Sequence, residues 1–177
     1  MSFQNINEDQ MLSLDDDRWR HLTTFFGQPE ELPSIIKDWL ESIGSEQEEV
    51  VYDRDLVDIF LHQSTITNVA FAVVPWLLHV CKEHVTKLQP NYLLHIALVE
   101  ANRLSDGLYY HRTGTEEYPE WLMVDYHQAI LESRDLIDKV VEAENLEEGI
   151  RTRLVALRPA LFGDADLAWA QWYSPSS

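Results

Sequence analysis

The chain is poor in the residues that most often announce a chemistry. It has one cysteine, six glycines and seven prolines in 177 residues, and 13 lysines and arginines against 31 aspartates and glutamates. One cysteine cannot close an internal disulfide. Cys81 stands in the most apolar segment, where a small core residue is expected rather than a reactive thiol, and this suits a reducing compartment. So few glycines and prolines, with Ala, Leu, Glu and Asp plentiful, argue against a turn-rich sheet protein and for helices. HExxH, a repeated ExxH and CxxC are all missing, so the seven histidines form no recognised metal pattern, and no cofactor is expected. No apolar run approaches the ~20 residues a bilayer span needs, and the opening MSFQNINEDQ lacks both a basic start and an apolar h-region. The expectation is a cytoplasmic protein without a membrane partner, folded as one domain over 1–177.

Charge is spread unevenly. The formal net charge is −18. Residues 1–60 carry 15 acids against 4 bases, residues 61–100 carry 2 against 2, and residues 101–177 carry 14 against 7. The neutral middle reads as core. An acidic chain repels phosphate backbones, which excludes ordinary nucleic-acid binding, since that depends on Lys and Arg displacing counterions. The acids are either solvated helix faces or a surface that attracts a basic partner.

Helix punctuation divides the chain. Asp15-Asp16-Asp17, then Trp19, Leu22 and Phe26 at helical spacing, then Gly27, predict a first helix over about 16–26. Pro33 opens, and Gly44 closes, a second over 32–43 with the stripe Ile35, Ile36, Trp39, Leu40 and Ile43. Ser45 and Glu48 form a capping-box pattern for a helix over 46–62. The next helix, about 67–85, contains Pro75, which either bends it or starts it afresh. NYLLHIALVEANRL, 91–104, is apolar nearly all round and has to be enclosed. After a long connection, 105–117, a helix to about residue 144 lines up Leu122, Tyr126, Ala129, Ser133, Ile137 and Val140. Two more, 146–162 and 164–173, are separated at Phe162-Gly163-Asp164. The fold class is all-α, with hairpins 46–85, 91–144 and 147–173; an irregular helical bundle is the alternative.

Two stretches carry a resemblance. HQSTITNVAFAVVPWLL, residues 62–78, resembles the HQGxVYxAxxAAVPxLL signature of bacterial HEAT-like repeat proteins, and LVALRPALFGDADLAWAQW, residues 154–172, resembles the ALxALxGDxxLAxAL ending of the same group. Ser64 stands where that pattern has glycine, Ile66-Thr67 where it has Val-Tyr, and bulky Phe71 and Val73 where alanine is usual. The resemblance implies stacked antiparallel hairpins in an α-α superhelix. It supplies no activity, because such proteins are mostly binding surfaces.

Asp55, Asp58 and His62 fall at i, i+3 and i+7 of the predicted helix 46–62, so three potential metal ligands would share one face. Arg54 lies on the same face, and a single helix lacks the ligands from a second element that bundle metal sites use, so an ordinary solvated stripe is the expected reading. His79 and Glu83 pair at i, i+4, with His84 and His95 in or beside buried helices. Ser64-Thr65 beside His62 are expected to cap the next helix rather than to serve as nucleophile. Tyr109, Tyr110, His111 and Arg112 on the long connection are residue types that dominate binding hot spots; the competing reading folds the tyrosines back as packing. Trp169, Trp172 and Tyr173 either cap the last hairpin or meet a second copy of the chain as a homodimer.

These observations predict a non-enzymatic acidic helical-repeat protein that binds another protein through the 109–112 loop and its acidic outer helices, in a narrower version an immunity- or antitoxin-like inhibitor of a basic partner. The rival class is an enzyme with an acidic or histidine-bearing pocket between hairpins.

Overall fold

The computed structural model describes residues 11–62, 65–105 and 120–174. Helix dominates: α1 Leu32–Ser42, α2 Glu48–Val50, α3 Asp58–Phe60, α4 Ala70–Glu83, α5 Gln89–Leu104, α6 Glu120–Val141, α7 Glu148–Leu157 and α8 Ala165–Tyr173. Between α2 and α3 the backbone is continuous but winds as a π-helix, Val51–Val57. The one sheet among the described residues is a two-residue hairpin, with Leu61 opposite Ile66 and His62 opposite Thr65. No helix among the described residues is long and apolar enough to cross a membrane.

α5 is the hub. It packs against α4, α6, α7 and α8, which is why Tyr92, Leu93, Ile96, Ala97 and Val99 are buried around most of its circumference. α4, equally apolar, lies against α5 and α6 and stays helical through Pro75. α6 turns Leu122, Tyr126, Ala129, Ser133 and Ile137 inward, the expected stripe, with Val140 partly buried beside it. The buried apolar side chains form one contiguous cluster from Met11 to Trp169.

The first predicted helix is corrected. Residues 16–26 hold only a 3₁₀ turn, Asp17–His21, ended by an extended Leu22, and the chain then bends at residues 25–27 without returning to helix. Donors that a helix would have used internally are taken elsewhere: Thr23 N–H donates to Asn68 Oδ1 at 2.7 Å and Phe25 N–H to Ile59 O at 3.0 Å. Trp19 is sunk into the core with Nε1–H on Ser13 O at 2.8 Å. Tertiary partners outbid local propensity.

The predicted helix 46–62 is corrected at both ends and in its winding. It begins at Glu48, becomes π-helical and stops at Phe60, so His62 belongs to the hairpin. Glu48, Tyr52, Leu56 and Phe60 are all buried. At 3.6 residues per turn, positions four apart drift by about 40° each step, and the wider π turn cancels that drift and keeps the four on one seam. The capping box is also displaced: Ser45 Oγ accepts from Gln47 N–H at 3.1 Å, and Glu48 accepts from Gly44 N–H at 2.8 Å. This rod packs against α1, whereas the predicted hairpin 46–85 paired it with α4.

Candidate functional site

Where α1 meets the π-helix, the segment before α1 completes a cleft of about 480 Å³. Its apolar lining is Phe26, Ile35, Val51 and Ile59; its polar lining is Asp38, Arg54, Asp55 and Asp58. Each wall is held from behind. Phe25 N–H is tied to Ile59 O, and the edge of Phe26 meets the His62 ring at 5.0 Å between centroids. Gly27, at φ +74°, makes the turn that leaves Phe26 half exposed at the rim. Behind α1 and the π-helix lies an aromatic triad: Trp39, Tyr52 and Tyr92 meet at 4.4–5.8 Å between centroids.

Polar bonds lock that triad. Trp39 Nε1–H donates to Tyr92 Oη at 3.1 Å, and Tyr92 donates to Glu48 Oε1 at 2.6 Å. Burial, then the adjoining Glu48 carboxylate, push the Tyr92 phenol up. Tyr52 Oη lies 2.6 Å from His95 Nδ1, and although an edge of His95 reaches solvent, burial holds its imidazole down, to about 4. From the sequence His95 reads as an ordinary helix histidine and Glu48 as a cap. Neither lines the cleft; each bonds to a tyrosine of the triad behind it, and the signal for Glu48 is the unbroken spacing of four at 48, 52, 56 and 60.

The three candidate ligands do not converge. Arg54 Nε and Nη2 grip Asp55 at 2.8 and 3.1 Å, while His62 Nδ1 lies 3.6 Å from Asp58 Oδ1. The π winding and the turn into the hairpin remove the shared helical face on which i, i+3, i+7 depended. Among the described residues no group of three or more His, Cys, Asp or Glu is disposed to hold a metal ion. What the acids do instead is crowd one another: burial, then repulsion from Glu49 and Asp58, holds the Asp53 carboxyl above its usual range.

A second, smaller cleft of about 170 Å³ opens between α4 and α6. His79, Lys82 and Glu83 line it from α4 and Asp125, Gln128 and Glu132 from α6. Its charges are largely spent on each other: Lys82 Nζ meets Glu132 Oε2 at 2.6 Å, and Gln128 Nε2–H donates to Glu132 Oε1 at 2.6 Å. Burial depresses His79, opposed by Glu83, and raises Asp125, opposed by Arg18. Among the described residues no Ser, Thr or Cys lines it. His84 is partly buried at the end of α4.

Tyr109, Tyr110, His111 and Arg112, with Ser64, lie outside the described residues. Thr65 donates from Oγ1 to His62 O at 2.6 Å, closing the hairpin. Trp169 is buried and donates from Nε1 to Ser105 Oγ at 2.7 Å, so it binds α8 to the end of α5. Trp172 lines a groove of about 360 Å³ with Arg153 above its ring, and Tyr173 is exposed. No family model, no curated protein and no solved structure matches this chain.

Proposed function

We propose that the chain is a non-enzymatic protein-binding module and that the cleft between α1 and the π-helix receives a basic, apolar-tipped segment of a partner protein. The observation that carries this is the make-up of the cleft: an apolar floor bordered by three aspartates, opened by an exposed phenylalanine and backed by a rigid aromatic triad. An apolar surface gives affinity, while acids select a basic partner and speed its approach. In a chain of net charge −18 the same field acts at long range, which supports the narrower reading of an immunity- or antitoxin-like inhibitor that masks a basic surface. The HEAT-like architecture belongs to this proposal; α4 on α5, α5 on α6 and α7 on α8, each succeeding the last in sequence, support it.

The rival reading places catalysis in the α4–α6 cleft and draws on His79, whose pKa burial lowers against the opposing pull of Glu83. It has less behind it, because the cleft is small and its lysine is ion-paired with Glu132.

Photo-crosslinking decides between them. A photoreactive phenylalanine analogue at position 26, in the native cell, should join the chain to one protein through a Lys- or Arg-bearing peptide. That adduct should fade when Asp38→Asn and Asp58→Asn are combined. An adduct indifferent to both substitutions, or none at all, counts against the cleft.

A further inference from the structure

The cleft already holds a guanidinium. Arg54 projects from the π-helix and turns back on its neighbour Asp55, Nε on Oδ1 and Nη2 on Oδ2, the two-pronged geometry in which a carboxylate best receives arginine. Its side chain is 74% exposed and that of Asp55 35%. An ion pair so open to water holds weakly and opens readily to an exchange of partners. Among the described residues Arg54 is also the only base lining the cleft, against Asp38, Asp55 and Asp58. Beside the pair, Ile35, Val51 and Ile59 offer an apolar seat for whatever follows the charge.

We infer that the groove takes an arginine-bearing segment with an adjacent aliphatic or aromatic side chain, and that the incoming guanidinium displaces Arg54 from Asp55. This rests on the reading of the cleft as a protein-docking site and adds to it the identity of the charged residue and the role of Arg54. Arg54 is a resident competitor: it keeps Asp55 paired in the free chain and sets a threshold that a lone ammonium, with no second prong, meets less well. The exchange swaps one guanidinium–carboxylate pair for another, so its net gain comes from the apolar neighbour and from releasing Arg54 to water.

The test is a titration of the full chain with fluorescein-labelled Ac-Arg-Leu-Arg-Leu-NH2, its lysine counterpart and its glutamate counterpart. Arg54→Gln should bind the arginine peptide about two- to fivefold more tightly than the parent chain, the scale of an exposed competing pair, with a smaller gain for the lysine peptide. Asp55→Asn should weaken the arginine peptide, and the double variant should match Asp55→Asn alone. Lys37→Gln controls for bulk charge, since Lys37 is an exposed α1 cation paired with Asp15. Equal gains from Lys37→Gln and Arg54→Gln, or a gain that survives in the double variant, would overturn the competitor role while leaving the cleft as a basic-segment site. An arginine peptide that binds no better than the glutamate peptide to the parent chain would overturn the docking site itself.

Discussion

Glu48 and Tyr92, 44 positions apart, share a 2.6 Å hydrogen bond that joins the start of the π-containing rod to the hub helix α5. The carboxylate is 5% exposed and is compensated at both oxygens, by Tyr92 on Oε1 and by Gly44 N–H on Oε2. A buried charge survives only on such terms. Tyr92 also accepts from Trp39, so one phenol ties α1, α2 and α5 together directly behind the cleft.

Removing that hydroxyl is therefore costly although it deletes one atom. Tyr92→Phe should destabilise the fold by about 1–3 kcal/mol, because it strips a partner from a buried carboxylate and orphans the Trp39 indole N–H. Urea denaturation of the variant against the parent measures this. A loss below about 0.5 kcal/mol, the ordinary range for surface changes, would mean that the network carries no stability.

His95 gives the chain a pH signature. Its folded pKa, about 4, lies below the ~6.5 of a free imidazole, so the unfolded chain binds the extra proton between those values. Stability from this group is whole above pH ~6.5, declines as pH falls toward about 4, and is flat below it. The full difference amounts to about 3 kcal/mol. The carboxyls of Asp16, Asp138 and Glu132, held down by their arginine, lysine and glutamine partners, add losses at lower pH. The clean observable is the parent curve minus that of His95→Gln, which should slope between pH 6.5 and 4. A difference curve level across that window would show that His95 protonates as freely in the folded chain as in the unfolded one.

Local signals were legible where the partner of each residue lies nearby. Gly44 ends α1, Asp164 Oδ1 caps α8 by accepting from Leu167 N–H, and Gly163 at φ +90° makes the turn before it. The all-round apolarity of 91–104 marked the hub. What could not be read depends on distant groups. Nothing near Thr23 shows that Asn68 will take its N–H, so the acidic, apolar-periodic stretch 16–26 reads as helix. The cleft is equally hidden: Phe26, Ile35 and Ile59 come from three segments, and by spacing alone Phe26 falls on a helix stripe with Trp19 and Leu22. Glu48 reads as a capping-box acid beside Ser45, because the tyrosine that receives it in the core lies 44 positions away.

Trp76 tests the expected core. It is 3% exposed on α4, and its Nε1–H donates to Leu12 O at 3.3 Å, holding the N-terminal segment across the helix. Trp76→Ala should cost about 3–5 kcal/mol, the range for emptying a large aromatic site. Trp76→Phe should cost less and should report mainly on the lost bond to Leu12. Thermal melts of both variants give the comparison, and an alanine variant that melts with the parent would misplace the core.

The buried ion pair on α5 makes the last prediction. Glu100, 4% exposed, accepts from Arg103 Nε at 2.6 Å and Nη2 at 2.8 Å, and from Tyr126 Oη on α6 at 2.6 Å. Arg103 also lies over the Tyr126 ring, so the pair is satisfied from two helices. Removing Arg103 leaves a buried carboxylate with Tyr126 as its remaining side-chain donor, and removing Glu100 leaves a part-buried guanidinium without its carboxylate. Arg103→Met should cost about 3–5 kcal/mol, and Glu100→Leu somewhat less, because the part-buried guanidinium it strands can reach water while the Tyr126 phenol loses its acceptor. Replacing both partners removes the desolvation cost along with the attraction, so the double variant should recover most of the loss and fall well short of the sum of the singles. Tyr126 would still lack an acceptor, which sets a residual of about 1–3 kcal/mol unless water reaches it. Strict additivity of the two single losses in chemical denaturation would show that Glu100 and Arg103 act independently, and the geometry that couples them would then have no energetic weight.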